Sequence, residues 1–403
     1  MVSQWLSSAP VLRFAFAVLR WISPVLVVGK RVLVTRHAEI VELLSRDEEF
    51  TIAEINGPRT ERDNGPFVLS MDRGLVHDRE KALLNTAMLR EDIARVREFV
   101  ANEAAALLDG PRKNGRIEVV GDFSRIVPLR VIETYFGVPA ASVPTMQHWL
   151  RTLFWDLFLN LSDDPAVIAQ AVRSFHELRP YLEVVVARRR AALDHAAPSA
   201  DVLGRMIALS QEGAYRDWLD DDAICRNISG LIIGALETTN KAVVHVVDEL
   251  LRRPDALRGA VAAALSGDID RVRGYAFEAL RFNPFAPLQV RYCRSEKRLG
   301  EKAGPGRSVP PETTVYALTL SAMFDGKAVA DPGTFRPDRE FEYLHFGYGL
   351  HQCQGRLINN VQVPELVAAL LRLPALRRAS GSQGRVIYDG PFPDRFVLEF
   401  DRT

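Results

Sequence analysis

The sequence predicts a mainly α fold with small β-sheets, organised as one domain over residues 1–403. Three observations carry this. Apolar residues recur at helical spacing through most of the chain, whereas alternation of period two is confined to a few short runs. One segment, 220–252, is apolar on nearly all sides from Ile224 to Val247 and reads as a long helix crossing the interior. No Pro/Ser/Gly-rich linker, repeat or low-complexity tract divides the chain, so its length supports one large core.

The N-terminal region from Pro10 to Val34 is apolar, but Arg13, Arg20, Pro24, Lys30 and Arg31 interrupt it. No uncharged run approaches the roughly 18–20 residues that a membrane span needs. A basic start and a small-residue cleavage site, the marks of a signal peptide, are also missing. Leu12, Phe14, Phe16, Leu19 and Trp21 are expected to pack on the body of the protein, with contact to a membrane surface as the other reading. Two β-branched runs around Gly29-Lys30 predict a hairpin over 25–35. Helices are predicted at 37–45, 77–89, 91–109, 122–136, 144–159, 165–194, 200–211, 220–252, 255–264, 270–282 and 355–372. Short strands are predicted near 288–294, 298–300, 312–317 and 395–400. Asp220, Asp221 and Asp222 place negative charge where the dipole of the long helix favours it, and Pro254 ends that helix.

Lys and Arg (51) balance Asp and Glu (51), which argues against a general nucleic-acid binder. The Arg188-Arg189-Arg190 cluster reads as a solvated helix end. Three widely spaced cysteines, Cys225, Cys293 and Cys353, have no zinc-like spacing, and an odd, low count fits a reducing cytoplasm.

The most informative stretch is Phe346-Gly347-Tyr348-Gly349-Leu350-His351-Gln352-Cys353-Gln354-Gly355, just before an apolar helical run. Its glycines permit a tight turn. A cysteine at a helix N-terminus faces unpaired N–H groups and the positive end of the dipole, which favours the thiolate. A thiolate on a rigid, donor-lined loop suits an axial haem ligand. The stretch resembles the haem-binding signature of the cytochrome P-450 monooxygenases at Phe346, Gly347, Gly349, His351, Cys353 and Gly355. The likeness runs from roughly residue 25 to 400 and implies that family's fold, a triangular helical prism with a long central helix.

Further residues take their expected roles from the resemblance. Gly234-Ala235-Leu236-Glu237-Thr238-Thr239 is similar to the oxygen-binding segment of the central helix, with Glu237 and Thr238 as the acid–alcohol pair that relays protons to dioxygen. Ala235 stands where a glycine is common, so the local widening of the helix is expected to be less pronounced. Thr238 has a second reading, a hydroxyl bonded to the carbonyl of the preceding turn. Glu278, Arg281 and Arg339 resemble a structural Glu–Arg–Arg triad that braces the core beneath the haem. His77, Lys81, Arg291 and His351 match positions that hold the two haem propionates.

The resemblance therefore implies haem b ligated by Cys353, and insertion of one oxygen atom from O2 into an apolar small molecule by hydroxylation or epoxidation. Electrons would come from a separate ferredoxin- or flavodoxin-type donor docking near Arg79, Arg90 and Arg356, because no flavin, iron–sulfur or dinucleotide motif is present and Gly304-Pro305-Gly306 reads only as a loop. By position, the substrate walls would be Phe67, Val68, Leu69, Leu231, Ala235, Phe285, Ala286, Leu288 and Phe392. Three alternatives stay open: a peroxide-driven peroxygenase or isomerase, a non-enzymatic haem sensor, and a cysteine hydrolase using Cys353 and His351.

Overall fold

The computed structural model describes residues 9–192, 199–301 and 305–402. In chain order the main elements begin with α1 (Ala9–Ile22), β1 (Val25–Val28), β2 (Arg31–Val34), α2 (His37–Ser45), β3 (Phe50–Thr51), α3 (Ala53–Asp63), α4 (Leu75–Ala87), α5 (Asp92–Asn114) and β4 (Arg116–Glu118). There follow α6 (Ile126–Val131), α7 (Val143–Phe154), α8 (Pro165–Ala191), α9 (Val202–Leu209), α10 (Asp221–Leu250), α11 (Pro254–Leu265) and α12 (Ile269–Phe282). The remainder comprises β5 (Gln289–Cys293), β6 (Lys297–Leu299), β7 (Arg307–Val309), β8 (Thr313–Ala317), α13 (Arg356–Leu371), β9 (Arg377–Arg378), β10 (Ile387–Asp389), β11 (Phe392–Arg395) and β12 (Val397–Glu399).

Local chemistry sets many of these boundaries. Side-chain oxygens of Ser142, Asp164, Asp201, Asp220 and Asp268 accept backbone N–H bonds from the first turns of α7, α8, α9, α10 and α12. Pro165 and Pro254 occupy opening positions, where their missing N–H costs nothing. Helix α5 outruns its expected end at 109. Pro111 lies in its last turn, and Gly115, at φ +69°, closes it by donating to the Pro111 carbonyl at 2.8 Å.

The segment expected as one helix over 122–136 is instead α6 between two single π-turns, Val120–Ser124 and Ile132–Phe136. Another π-turn, Trp155–Leu159, follows α7. The final two residues of the helix expected at 165–194, and Gly304, lie outside the described residues.

The chain divides into two compact units. The first comprises Met1–Gly57, Leu69–Gly74 and His245–Arg356. Its five-stranded sheet has the order β1-β2-β8-β5-β3, with β2 and β8 parallel and the other pairs antiparallel. Val32, Val34, Val315 and Ala317 of that sheet pack with Ile40, Leu43 and Phe50 in a buried cluster. The second unit comprises Pro58–Val68, Leu75–Val244 and Leu357–Thr403, and holds most of the helical mass together with the β4-β12-β9 sheet and the β10-β11 hairpin.

Candidate active site

The cysteine loop belongs to the first unit. Gly347 and Gly349 both adopt the left-handed region, at φ +73° and +72°, on either side of Tyr348. A Cβ on Gly349 would stand 2.3 Å from the backbone oxygen of Leu44 in α2, so that position admits only glycine without displacing backbone. The Cys353 N–H donates to the Phe346 carbonyl at 2.9 Å, closing the loop. The Cys353 carbonyl accepts from Arg356 N at 3.3 Å, where α13 starts. A Cβ on Gly355 would sit 3.8 Å from the Cys353 sulfur, an ordinary van der Waals contact, which places Gly355 alongside the thiol. None of the three cysteines is in a disulfide.

Beneath this loop the first unit builds a buried charge cluster. Glu278 and Arg281, three apart on α12 and both fully buried, form a two-pronged ion pair at 2.6 and 2.9 Å. The remaining Arg281 N–H groups donate to the carbonyls of Met323, Pro332 and Thr334. Glu278 also accepts from Arg336 N and the Tyr343 hydroxyl, and Arg339 Nε lies 3.5 Å from it. The three residues singled out in the sequence thus meet. His345, at the mouth of the loop, stacks on Tyr343, and burial pushes its pKa down to about 4, so it is neutral there.

Arg291 is the telling cation of this unit. It lies on β5 and is almost completely buried, and burial lowers its pKa to about 10. Among the described residues no carboxylate lies within ion-pair distance of it, and its Nε has no hydrogen-bond partner, although Nη1 donates to the carbonyl of Val290. Asp47 and Asp72 oppose the effect of burial only in part, and a buried guanidinium without a direct counter-ion is costly. A bound anionic group offsets that cost, so Arg291 fits a haem carrying propionates.

In the second unit, α10 remains α-helical through Gly234–Asn240. The Thr238 hydroxyl donates to the Gly234 carbonyl at 2.6 Å, and the Thr239 hydroxyl lies 2.9 Å from both the Ala235 carbonyl and Asn359 Oδ1. Glu237 is buried, and its Oε1 lies 2.8 Å from Arg125 Nε, an ion pair in which the N–H is not aligned on the oxygen. Its Oε2 accepts from Asn240 at 2.8 Å, and Asn240 Oδ1 accepts from Ser124 at 2.7 Å. Arg125 also donates to the Pro393 carbonyl and approaches the half-exposed Asp394 at 3.7 Å. Lys241, one turn beyond Glu237, has its pKa lowered to about 8 by burial, a shift that Glu237 partly opposes.

Sequence reasoning missed Arg125, Asn240 and Ser124. Only Asn240, three residues from Glu237, carried a local signal. Arg125 arrives from a different helix.

His77 and Lys81 share one face of α4, and His77 Nδ1 lies 2.9 Å from Asp78 Oδ1. Among the wall residues, the second unit holds Phe67, Val68, Leu231, Ala235 and Phe392. Phe67 lies so close to Gly230 that a Cβ there would meet the ring at 2.6 Å. Phe392 is fully buried, edge-on to Phe154 and Trp155. Leu69, Phe285, Ala286 and Leu288 belong to the first unit, where Leu288 packs with Phe16, Leu318 and Leu320. Of the expected docking cations, Arg79 and Arg90 are exposed and Arg356 is half-buried, and Arg79 stacks on Trp218 at 4.6 Å.

The cytochrome P450 family model matches residues 25–382. The chain belongs to the cytochrome P450 family. It is 26% identical over 353 residues to a steroid C26-monooxygenase of Mycolicibacterium smegmatis, covering 84% of this chain and 78% of that one. It is likewise 26% identical over 280 residues to the cyclomarin C epoxidase CymV of Salinispora arenicola, covering 69% and 66%. The crystal structure of CalO2 superposes with a TM-score of 0.83 at 22% identity, covering 98% of this chain and 97% of that one. The expected cytochrome P450 fold is therefore the observed one. The chain is a cytochrome P450 monooxygenase, a class that uses haem iron, O2, an organic substrate and a redox partner. Among the described residues no helix is long and apolar enough to cross a membrane.

Proposed function

We propose that this cytochrome P450 binds haem b through the Cys353 thiolate and inserts one oxygen atom into an apolar small molecule by hydroxylation or epoxidation. The whole chain is read as a single catalytic domain, supported by one continuous family match from residue 25 to 382. The observation that carries the cofactor assignment is the buried guanidinium of Arg291, which has no carboxylate within ion-pair distance among the described residues. Arg291, His351, His77 and Lys81 would hold the propionates. Phe346, Gly347 and Gly355 shape the loop around the ligating sulfur, and Glu278, Arg281 and Arg339 brace it.

Bound haem supplies the oxygen chemistry, and a thiolate ligand favours O–O bond cleavage. The chain's own contribution is proton handling and exclusion of water. Glu237 and Thr238 are assigned to deliver protons, with transfer at Thr238 Oγ1. For this the hydroxyl must give up its bond to Gly234, and Glu237 must loosen from Arg125. Phe67, Leu231, Ala235 and Phe392, with Leu69, Phe285, Ala286 and Leu288, are assigned to the substrate walls. The names of the two relatives, a steroid C26-monooxygenase and an epoxidase, support both modes of oxygen insertion. Electrons are assigned to a ferredoxin- or flavodoxin-type donor attracted by Arg79, Arg90 and Arg356, and the working compartment to the cytoplasm.

A panel of apolar compounds screened for haem spin-state shifts, followed by product analysis with NADH, a ferredoxin reductase and a ferredoxin, tests the reading. Turnover that requires the donor supports it. The occupied hydrogen bonds of Thr238 and Glu237 favour one second reading, a peroxide-driven enzyme. Product formed with hydrogen peroxide, and none with the donor system, would select it.

A further inference from the structure

Helix α1 is turned inside out relative to an ordinary surface helix. Its basic side chains point inward. The Arg13 guanidinium lies 5.0 and 5.1 Å from the rings of Phe282 and Phe324, and Arg20 donates at 2.8 Å to the carbonyl and hydroxyl oxygens of Ser321. Leu12, Phe16 and Leu19 pack against Leu318 and Leu320. The opposite face carries Phe14, Val18, Trp21 and Ile22, spaced i, i+4, i+7 and i+8 and hence one continuous stripe. Phe14 is 74% exposed and Trp21 86%. After Ser23 and Pro24 the apolar surface resumes on the hairpin, where Val27 and Val28 are exposed beside the turn residues Gly29, Lys30 and Arg31.

Charge singles out one kind of partner for this surface. Residues 9–38 contain five basic side chains and no acidic one; Arg13 and Arg20 face inward and Arg36 pairs with Asp325 at 3.4 Å, which leaves Lys30 and Arg31 at the surface. Lys30 pairs with the exposed Glu312, and Arg31 is exposed with no ion pair among the described residues. An exposed Trp and Phe close in sequence to two solvent-exposed cations, Lys30 and Arg31, match the interface of an anionic bilayer, where aromatic rings sit at headgroup depth and basic residues meet phosphate. At 14 residues α1 spans about 21 Å. Among the described residues no helix is long and apolar enough to cross a membrane, so the contact considered for α1 is one along the bilayer surface.

We propose that the outer face of α1 and the tip of the β1–β2 hairpin form a docking surface for an anionic lipid bilayer. Phe14, Val18, Trp21 and Ile22 enter the headgroup region, and Lys30 and Arg31 contact lipid phosphates. The proposal does not depend on which substrate the enzyme oxidises.

The test is sedimentation of the full-length, haem-loaded protein with vesicles of phosphatidylcholine alone or mixed equally with phosphatidylglycerol. The expected result is co-sedimentation with the mixed vesicles, weakened by high salt. The doubly substituted Phe14→Ser, Trp21→Ser protein should partition about tenfold more weakly, and Lys30→Gln, Arg31→Gln several-fold more weakly. Both should keep the wild-type carbonyl spectrum and circular dichroism, because the substituted side chains point to solvent. Lipids brominated near the headgroup should quench wild-type tryptophan fluorescence more than that of Trp21→Phe. Wild-type protein left in the supernatant with both vesicle types overturns the proposal, as does binding unchanged in both variants. A concentration-dependent dimer, abolished by Phe14→Ser with Trp21→Ser, would instead assign the stripe to a second copy of the chain.

Discussion

Arg125 and Glu237 form a buried ion pair, with Nε and Oε1 2.8 Å apart, between the segment leading into α6 and the middle of α10. Only the Arg125 end reaches toward solvent, through Asp394 at 3.7 Å. Removing one partner of such a pair strands the other charge in low dielectric. Arg125→Leu should therefore lower unfolding free energy by about 3–5 kcal/mol, read as a drop in the urea midpoint. Arg125→Lys should restore part of this loss, since lysine keeps the charge but not the planar fork. A loss under about 1 kcal/mol for Arg125→Leu, the range of an exposed pair, would show that the contact is not maintained in solution.

Thr238 donates its hydroxyl to Gly234 in the structure, so it is both a helix-internal hydrogen bond and the assigned proton donor. Thr238→Ala should leave stability within about 1 kcal/mol of wild type, as expected for one neutral hydrogen bond, and should leave haem content unchanged. Reducing equivalents should be diverted to hydrogen peroxide, measured as peroxide released per NADH consumed. A fully coupled Thr238→Ala enzyme would remove Thr238 from the proton path.

The two glycines of the cysteine loop should differ in tolerance. Both have positive φ, and Gly347, at ψ −166°, lies where glycine is strongly preferred, so alanine carries backbone strain at either position and the contacts of the added carbon distinguish them. At Gly347 the added carbon would meet the Gln289 side-chain amide at 2.7 Å, and that side chain can move. At Gly349 it would meet the Leu44 backbone carbonyl at 2.3 Å, and that cannot move without shifting α2. Gly349→Ala should lose most of its haem on purification, while Gly347→Ala should keep the larger share. Equal haem content in the two variants would count against this loop geometry.

Asp63 and Asp156 supply a pH dependence. Both carboxyl groups are fully buried and Arg62 pairs with both. Burial, reinforced by the hydrogen bond to Asp156, raises the Asp63 pKa from 3.8 to about 7. Burial also pushes Asp156 upward, but hydrogen bonds from Asp63 and Asn160 and the charge of Arg62 outweigh it and leave that group lowered. The folded state therefore holds a proton on Asp63 that the unfolded chain releases above about pH 4. This contribution is fully present below the unfolded pKa and is lost as pH rises through about 7. Wild type should lose stability across that window relative to Asp63→Asn, which keeps an uncharged donor at every pH. Urea midpoints of the two proteins, compared on either side of pH 7, should diverge, and parallel pH profiles would contradict the shared proton.

The sequence showed well whatever depends on neighbours along the chain. The turn glycines, Cys353 and α13 lie within a few residues of one another, and the Glu278–Arg281 pair lies within one helical turn, so their geometry follows from local spacing. The hairpin at Gly29 was equally local. Partners brought from afar were not legible: nothing near Arg125 in sequence announces Glu237, and nothing near Asp63 announces Asp156. Helix α3 escaped notice because Gly57 and Pro58 sit in its middle and few of its residues are apolar. The π-turns bracketing α6 were hidden because a single widened turn leaves the hydrophobic pattern nearly unchanged. For α1 the apolar character was plain, but its division into a packed face with Leu12, Phe16 and Leu19 and an exposed face with Phe14 and Trp21 depends on where Arg13 and Arg20 find their partners.

The central claim is thiolate ligation by Cys353, and the absorbance spectrum of the purified protein, reduced and under carbon monoxide, tests it most directly. The wild type should show the strongly red-shifted Soret band of a thiolate–carbonyl complex, and Cys353→Ser should lose it. A wild-type haem spectrum without that band, or a folded protein that takes up no haem, would contradict the assignment.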